Sequence, residues 1–298
     1  MIGELAALGA AISWTFSAIL YRKALQQTKP VSANIIRLSC TSAILLVFLV
    51  AIGRFGVLTS LPVGIFVLAA VSGIIGLGVG DTLYLLSLRM IGVARAVPIT
   101  CTYPLFGLLW AALFSGETMT PGVVFGTAAI VFGIWLLSHQ KENATVDGQR
   151  TTMIKGMAAA LATALLWSVS ISMMNLAVKE TADLDHALVV NTVRASAIAI
   201  FLLAVSPIID RERSFLKVRR KTAATLIVGG IVALGLGWFF LTYSLALKTL
   251  ESRAASISST TPLFSALAGV FLLHEKITTR NVLGSVIVVV GIFLIFLG

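Results

Sequence analysis

The chain contains two stretches that align with each other without a gap: YPLFGLLWAALFSGETMTPGVVFGTAAIVFGIWLL at 103–137 and TPLFSALAGVFLLHEKITTRNVLGSVIVVVGIFLI at 261–295. Each stretch consists of an apolar run, a short polar turn and a second apolar run. The alignment pairs Pro104 with Pro262, Glu117 with Glu275, Gly126 with Gly284 and Gly133 with Gly291. The match indicates an internal duplication in which each copy ends with two apolar helices.

The composition indicates that this duplication lies in a membrane. Of the 298 residues, 58% are hydrophobic and 11% are charged, whereas soluble domains carry about 25% charged residues. The mean hydropathy is +1.02. These values exclude a soluble enzyme, a disordered chain and a secreted disulfide scaffold. The apolar runs are long and continuous, unlike the short alternating strands of a transmembrane β-barrel.

Several apolar stretches come close to the length of about 20 residues that a helix needs to cross a bilayer. They are 3–22, 32–53, 62–88, 94–114, 121–138, 153–177, 186–209, 222–248, 253–273 and 280–297. We therefore predict an all-α integral membrane protein with ten transmembrane helices. Residues 1–138 form the first five-helix repeat, 139–152 form a cytoplasmic connecting loop, and 153–298 form the second repeat.

The two predicted repeats match in their earlier helices as well. The matches are Trp14-Thr15-Phe16-Ser17 with Trp167-Ser168-Val169-Ser170, Arg37 with Arg194, and Tyr84 with Tyr243. Because each repeat has an odd number of helices, the second must cross the membrane in the opposite direction to the first. Inverted repeats recur in secondary transporters, whose substrate site lies near the midplane between the halves. The alternative is that duplication merely builds a ten-helix bundle.

The distribution of positive charge orients the predicted helices. The formal net charge is +10 and the pI is about 10.1. Most Lys and Arg residues lie in loops that follow the odd-numbered predicted helices. The positive-inside rule predicts that these loops are cytoplasmic and that both termini lie outside a cell (plasma or inner) membrane. The basic residues are scattered over loops, which favours contact with anionic headgroups over nucleic-acid binding.

In these features the chain resembles the drug/metabolite transporter superfamily, in its ten-helix branch of paired EamA-type repeats. The resemblance rests on the Trp/Ser first helix, the Arg early in the second and seventh helices, and a Pro-Leu-Phe helix with a terminal Glu in each repeat. It covers essentially the whole chain. It implies export or exchange of small metabolites such as amino acids, through a central cavity lined mainly by helices 1, 3, 4, 6, 8 and 9.

Asp81 is the acid placed well inside a predicted span, where an aspartate costs about 2.5–3.5 kcal/mol on insertion scales. Its counterpart in the repeat alignment is Phe240, so the duplicated scaffold does not require an acid there. Two interpretations remain open. Asp81 couples transport to protons or binds a substrate amine, or it forms an ion pair with Arg37. Arg37 and Arg194 also lie close enough to helix ends to reach the headgroups.

Other polar and aromatic residues in the spans are candidates for lining a substrate cavity. The tracts Thr100-Cys101-Thr102-Tyr103-Pro104 and 256–262 combine hydroxyl groups with a proline, which frees a backbone carbonyl. Packing of small hydroxyl residues is the alternative explanation. The cavity candidates are Trp14, Ser17, Tyr84, Thr102, Tyr103, Trp167, Ser170, Asn175, Thr242, Tyr243 and Ser259.

The sequence thus predicts a secondary active transporter that moves small metabolites by alternating access. We expect a small-molecule substrate, the lipid bilayer, and a proton or counter-substrate as partners; monomer and homodimer both remain open. We expect no cofactor, metal site or catalytic residue, because the chain has no Walker A, H-E-x-x-H or G-x-S-x-G motif. The rival hypotheses are an intramembrane enzyme acting on lipid, and a channel or sensor.

Overall fold

The computed structural model describes residues 1–116, 118–138, 147–179, 183–265 and 279–297, and within these ranges it contains no β-strand. The all-α class predicted from the sequence is confirmed. The α-helices in chain order are α1 (Ile2–Leu25), α2 (Pro30–Ala51), α3 (Phe55–Thr59), α4 (Val63–Gly73), α5 (Asp81–Ile91), α6 (Val93–Thr100), α7 (Tyr103–Trp110), α8 (Pro121–Ser138), α9 (Asp147–Val178), α10 (Leu184–Ile209), α11 (Arg220–Gly230), α12 (Trp238–Ala246), α13 (Glu251–Ser258) and α14 (Thr279–Leu297). Segments of π-helix occupy Ile74–Gly80, Ala111–Ser115 and Ile231–Gly237, and a 3₁₀ turn occupies Ser214–Lys217.

Seven helices of the described chain are long and apolar enough to cross a membrane. They are Ile2–Leu25, Pro30–Ala51, Val63–Ile91, Arg95–Leu113, Arg150–Val178, Leu184–Ile209 and Arg220–Ala246. Two further helices, Pro121–Leu136 and Val282–Ile295, are also apolar but shorter. The protein is therefore a multi-pass membrane protein.

The distribution of side chains is the reverse of that in a soluble protein. Val47, Phe125 and Ile200 are each more than two-thirds exposed, whereas Arg37 and Asp81 are buried. Exposed apolar side chains at this density match hydrocarbon rather than water. Most polar groups turned inward find partners in the protein, as a lipid environment requires.

The helices predicted for 94–114 and 253–273 are each interrupted near the proline that the sequence singled out. The first divides into α6 and α7 at Cys101 and Thr102. In the second, α13 ends at Ser258, a turn follows, and residues 261–265 are helical again. Pro104 occupies the first turn of α7, where its missing N–H removes no intrahelical hydrogen bond. The matching breaks bring two hydroxyl-rich turns into the interior.

One π-helical segment separates α4 from α5 in the first half, and another separates α11 from α12 at the matching position of the second half. Each segment has seven residues. Asn34 donates a hydrogen bond to the Leu77 carbonyl at 3.0 Å, and Asn191 donates one to the Leu234 carbonyl at 2.9 Å. Both bonds span 43 residues of sequence. The asparagine thus satisfies a carbonyl that the irregular helix leaves free.

This register corrects the alignment of the two tyrosines. The residue that follows each π-helical segment is Asp81 in the first half and Trp238 in the second. Trp238, not Phe240, is therefore the counterpart of Asp81, and Tyr84 is not the counterpart of Tyr243. The sequence alignment was wrong because it matched two identical side chains. The backbone register is set by the asparagine hydrogen bonds.

The helices α8 and α14 pack closely through glycines. A Cβ atom added at Gly126 would lie 2.7 Å from the Gly291 carbonyl oxygen, and one added at Gly133 would lie 2.8 Å from the Gly284 carbonyl oxygen. Only glycine permits backbones to approach this closely. The contacts run in opposite chain directions, so α8 and α14 are antiparallel.

Helix α9 begins earlier than the sequence predicts. It starts at Asp147, so residues 147–152, which were assigned to the connecting loop, are helical. Arg150 and Lys155 belong to its first turns, and polar residues at a helix end carry no periodic apolar signal that would reveal the helix. Residues 139–146, the remainder of the predicted loop, lie outside the described ranges, as do Glu117 and Glu275.

The connections meet at two opposite ends of the bundle. At one end, Lys29 pairs with Glu212 at 2.8 Å, and Thr222 donates a hydrogen bond to Gln27 at 2.7 Å. Contact with Glu212 raises the pKa of Lys29. At the other end, Arg54 pairs with Asp185 at 2.9 Å. We call the first of these the basic end, because the segments that meet there carry many basic residues: Arg22, Lys23, Lys29, Arg89, Arg95, Arg150, Lys155, Arg211, Arg213, Lys217, Arg219, Arg220 and Lys221.

Candidate substrate cavity

A small cavity lies where the two halves of the chain meet. The volume of the cavity is about 30 Å³, which is enough for a water molecule but too small for a metabolite. Its walls come from α1, α2, α5, α6, α7, α9, α12 and the neighbouring turns. The lining residues are Trp14, Ser17, Tyr21, Arg37, Asp81, Tyr84, Val97, Thr100, Cys101, Tyr103, Trp167, Ala233, Trp238 and Thr261.

Asp81 occupies one wall of the cavity and is held by two donors. Arg37 forms an ion pair with it through Nη2 and Oδ2, and Trp167 Nε1 donates to Oδ1 at 2.8 Å. Arg37 is itself fixed, because its Nε donates to Asn34 Oδ1 at 2.8 Å and its guanidinium lies 4.7 Å from the centre of the Tyr21 ring. Both charges are buried. The carboxylate and the guanidinium therefore depend on each other, since removing one strands the other in a low-dielectric interior.

Arg194 occupies the matching position in the second half but has different partners. Its Nε donates to Ser72 Oγ and its Nη2 to Ser170 Oγ, both at 3.0 Å. Its guanidinium lies 4.4 Å from the centre of the Trp238 ring. Among the residues that the structure describes, no carboxylate forms an ion pair with it. An aromatic face thus takes the place of the carboxylate, as a cation–π contact.

Aromatic rings surround the Asp81 carboxylate. Trp14 and Trp167 stack with centroids 6.4 Å apart and planes 20° apart, and Trp14 meets Trp238 edge-on at 5.2 Å. Tyr84 and Tyr103 lie 5.1 Å and 6.2 Å from Trp167. Such rings offer large apolar faces together with polar edges, and both suit a ligand that is partly apolar.

Each of two indoles rests on a glycine of a helix from the opposite half. A Cβ atom added at Gly80 would lie 3.1 Å from Trp167 Cδ1, and one added at Gly237 would lie 2.8 Å from Trp14 Cδ1. Both glycines end a π-helical segment. The sequence folds this way because glycine alone leaves room for the indole. Trp14 Nε1 also donates to the Ala233 carbonyl at 3.3 Å.

The two broken helices contact each other beside the cavity. Tyr103 Oη and Ser258 Oγ lie 2.6 Å apart, and Thr15 Oγ1 donates to the Thr261 carbonyl at 3.2 Å. Thr100 Oγ1 bonds within its own helix, to the Val97 carbonyl at 2.9 Å. The hydroxyl-rich tracts therefore do both of the things that the sequence left open. Some of their groups face the cavity, and others satisfy nearby backbone.

Seven of the thirteen individual candidates named from the sequence line this cavity: Trp14, Ser17, Arg37, Asp81, Tyr84, Tyr103 and Trp167. Arg37 does not reach the headgroups, because its side chain is buried in the ion pair. Six further candidates lie outside its lining: Thr102, Ser170, Asn175, Thr242, Tyr243 and Ser259.

The residues outside the lining are engaged in packing or in other polar contacts. Ser170 Oγ accepts a hydrogen bond from Arg194, and Tyr243 stacks on Phe239 with ring centroids 5.9 Å apart. Thr102, Thr242 and Ser259 donate to carbonyls of their own helices, as hydroxyls in membrane helices often do.

Asn175 belongs to a second buried polar cluster, around Glu251. Asn175 Nδ2 donates to Glu251 Oε2 at 3.0 Å, and Ser172 Oγ donates to Glu251 Oε1. The Glu251 side chain is buried. Sequence reasoning missed this acid because it precedes the predicted span at 253–273, where a charged residue is read as part of a loop.

Thr100, Cys101 and Thr261 of the cavity wall lie in the two polar tracts that the sequence singled out, whereas sequence reasoning missed Tyr21, Val97, Ala233 and Trp238. A signal for Trp238 exists, because Gly-x-Gly precedes both Asp81 and Trp238. Within the described ranges, no group of three or more His, Cys, Asp or Glu side chains could hold a metal ion.

Comparison with known proteins places this cavity in context. The chain matches the model of the EamA-like transporter family over residues 1–139 and 154–297. An uncharacterized transporter of Archaeoglobus fulgidus is 24% identical over 302 residues, covering 100% of this chain and 99% of the relative. A second uncharacterized transporter of that organism is 26% identical over 200 residues, covering 64% and 63%. One crystal structure superposes with a TM-score of 0.75 at 18% identity, over 99% of this chain and 96% of the other.

Proposed function

Because the chain belongs to the EamA-like transporter family and is a membrane transporter, we propose that it is a secondary active exporter or exchanger of small metabolites. The substrates are amino acids or related amphipathic compounds. The observation that carries the proposal is the cavity between the halves, in which aromatic rings surround a buried acid that is paired with an arginine. Among the lining residues that the structure describes, Asp81 is bound by Arg37 and Trp167 and not by a hydroxyl or thiol nucleophile, which favours transport over catalysis.

The proposed architecture is ten transmembrane helices in two inverted five-helix repeats. Three features support it. The π-helical segments and their asparagines recur in both halves. Each of Trp14 and Trp167 packs on the matching glycine of the other half. The equivalent helices α8 and α14 are antiparallel. Gly126 contacts Gly291, which is the counterpart of Gly133 in the second repeat, as a two-fold axis requires.

Alternating access follows if each half adopts two packings and the halves exchange them. The observed cavity, which is too small for a metabolite, is then an intermediate between an outward-open and an inward-open form. Asp81 is the proton-coupling residue of this cycle. Protonation removes the charge that holds Arg37 and Trp167, so the walls contributed by α2, α5 and α9 separate more easily. A ligand with different affinity for the two packings shifts their populations.

The proposed orientation has the basic end in the cytoplasm and both termini outside. The positive-inside rule favours it, because the clustered Lys and Arg side chains lie at one end of the bundle. At the opposite end, α1 begins beside the end of α12, where a Cβ atom added at Gly3 would lie 3.2 Å from the Ser244 carbonyl oxygen. Fewer basic residues of the described chain lie there, namely Arg54, Lys179, Lys248 and Arg253.

Transport by purified protein in proteoliposomes tests the proposed activity. A panel of radiolabelled amino acids is supplied with and without a pH gradient, after a thermal-shift screen has selected those that stabilise the protein. Saturable uptake that the gradient enhances is the expected result. Conductance that does not saturate would indicate a channel. Absence of flux together with altered vesicle lipid would indicate an enzyme.

Membrane topology tests the proposed architecture separately. Single cysteines at Ile2 and Gly298 are labelled from outside intact cells with a membrane-impermeant maleimide. The background carries Cys40→Ala and Cys101→Ala. Both positions are expected to react, because two five-helix repeats return the chain to the face where it started. Reaction at one terminus alone would contradict the ten-helix count.

A further inference from the structure

The buried guanidinium of Arg194 keeps donors that the protein around it does not use. The side chain is fully buried. Its Nε donates to Ser72 Oγ and its Nη2 to Ser170 Oγ, and its Nη1 donates to Met174 Sδ at 2.7 Å. A guanidinium has five N–H donors, and a thioether is only a weak acceptor. Three of the five are used within the described chain, so two remain for an anion.

A hydrogen-bond acceptor three residues before Arg194 is also unused. In the first half, Arg37 Nε donates to Asn34 Oδ1 at 2.8 Å. Asn191 has the same spacing to Arg194 as Asn34 has to Arg37. The Asn191 side chain is buried, and its Oδ1 accepts no hydrogen bond from the described chain. A buried acceptor without a donor costs free energy. A second arrangement, in which Arg194 Nε donates to Asn191 Oδ1 as in the first half, removes that cost.

The ring that covers Arg194 is also a wall of the central cavity. Trp238 lines the cavity, and its ring centre lies 4.4 Å from the guanidinium carbon of Arg194. The indole N–H of Trp14 donates to a backbone carbonyl, and that of Trp167 donates to Asp81. Within the described chain, no hydrogen bond holds the N–H of Trp238. Its ring is held by contacts with other rings and with the guanidinium, so it can move more easily than the other two.

We propose that Arg194 binds the carboxylate of the transported compound, which then corresponds in the second half to the carboxylate of Asp81 in the first. The inference rests on the proposed transport of amino acids and assigns the recognition of their negative charge to one residue. On binding, the Trp238 ring moves off the guanidinium, and Arg194 Nε passes from Ser72 to Asn191 Oδ1. The two Nη groups then reach the cavity, where the planar guanidinium fork takes both carboxylate oxygens.

The same geometry makes the site selective for compounds that carry a carboxylate. Among the lining residues that the structure describes, the acid is Asp81, and Arg37 and Trp167 already hold it. Moving Trp238 removes the aromatic face that stabilises the charge of Arg194. A carboxylate on the ligand compensates for that loss, whereas an uncharged group leaves the guanidinium without a counter-charge.

The selectivity is tested on the wild-type full chain, purified in a neutral detergent. The probes are the common L-amino acids, each compared with its own α-carboxamide, which keeps the side chain and the amine but has no carboxylate. Binding is measured by thermal stabilisation at about pH 6, below the usual pKa of an α-amino group of about 7.7–8.0. We expect at least one amino acid to bind about tenfold or more tightly than its amide, because a charge-assisted fork is lost in the amide.

The outcomes of this measurement separate the inference from the proposed function. Equal affinity for an amino acid and its amide would overturn the inference and leave the proposed transport intact. Stabilisation by none of the amino acids or amides would contradict amino-acid transport itself, and the inference would fail with it. Because the measurement uses only the wild type, it does not depend on the folding of a variant.

Two variants separate recognition of the carboxylate from helix packing. In Arg194→Gln, the affinity for the amino acid should fall about tenfold or more, to that of the amide, while the affinity for the amide stays unchanged. Ser72→Ala is the matched control, because it removes the present acceptor of Arg194 Nε but keeps the guanidinium and Asn191 Oδ1. Its affinity for the amino acid should equal or exceed that of the wild type.

Two results with these variants would overturn the inference. One is an equal loss of affinity in Arg194→Gln and Ser72→Ala, because Arg194 would then act only by holding α4, α9 and α10 together. The other is a preference for the amino acid over its amide that survives in Arg194→Gln, because another group would then recognise the carboxylate.

Discussion

The two halves of the molecule build the same scaffold around different chemistry. In the first half, Arg37 holds the carboxylate of Asp81. In the second half, the matching Arg194 lies over the ring of Trp238 and is bound by serine hydroxyls. The asparagines and π-helical segments, by contrast, are the same in both halves. The shared parts maintain the fold, and the part that differs is the one that we propose couples transport to protons.

The largest difference between the halves is expected when either buried arginine is replaced. Arg37→Gln leaves the Asp81 carboxylate without its cation and should lower the free energy of unfolding by about 3–5 kcal/mol. Arg194→Gln strands no carboxylate, so its cost should be clearly smaller. Unfolding in mixed micelles at neutral pH measures both. Equal losses for the two variants would contradict the asymmetry described above.

Where the halves are alike, matched substitutions should have matched effects. Gly133→Ala and Gly291→Ala, which the repeat alignment pairs, place a methyl group 2.8 Å from the Gly284 carbonyl oxygen and 2.7 Å from the Gly126 carbonyl oxygen, respectively. Each should cost about 1–3 kcal/mol of unfolding free energy, because overpacking separates α8 from α14. Gly64→Ala is the control, since a Cβ atom there meets nothing within 4 Å. A large loss for only one of the paired variants would argue against a two-fold arrangement.

A smaller and pH-dependent difference is expected where α10 ends. Asp210 accepts hydrogen bonds from Ser32 Oγ at 2.9 Å and from the Phe215 N–H at 3.0 Å. Asp210 lies 16 residues after Arg194 in the sequence, and the residue at the same spacing after Arg37 in the first half is Gly53. Burial alone would raise the pKa of Asp210, but the hydrogen bonds from Ser32 and from the Phe215 backbone outweigh it and lower that pKa. The stabilisation is therefore complete above the unfolded-state pKa of about 3.9 and is lost as pH falls through the lower folded-state pKa.

Asp210→Asn should lower the free energy of unfolding by about 1 kcal/mol at neutral pH. Its difference from the wild type should shrink below about pH 4. Glu212→Gln serves as the control, because the ion pair of Glu212 with Lys29 is exposed and should contribute little to stability. Unfolding curves collected from pH 3 to pH 7 measure the effect. A difference that grows toward acid pH would contradict the assigned hydrogen bonds.

The sequence predicted the membrane class and the position of both helix breaks, because long apolar runs and interior prolines act locally. It also singled out Asp81 and Trp167, since a charge and an indole inside an apolar span are conspicuous. It did not reveal Trp238, because matching the two identical tyrosines displaced the alignment and hid the Gly-x-Gly that precedes both Asp81 and Trp238. Glu251 was missed because it precedes a predicted span, and nothing near it in the sequence indicates the hydrogen bonds that it accepts from Ser172 and Asn175 on α9. Contacts between distant segments carry no local sequence signal.

Proton movement during transport tests the central claim. The claim is that Asp81, whose counterpart in the second half is Trp238, couples the transport cycle to protons. Proteoliposomes containing a pH-sensitive dye and the amino acid that most stabilises the protein are compared for the wild type and Asp81→Asn. The wild type should accumulate the amino acid against its gradient with coupled proton flux, and the variant should retain exchange while losing both accumulation and proton flux. Gradient-driven accumulation by Asp81→Asn with unchanged proton flux would contradict the claim.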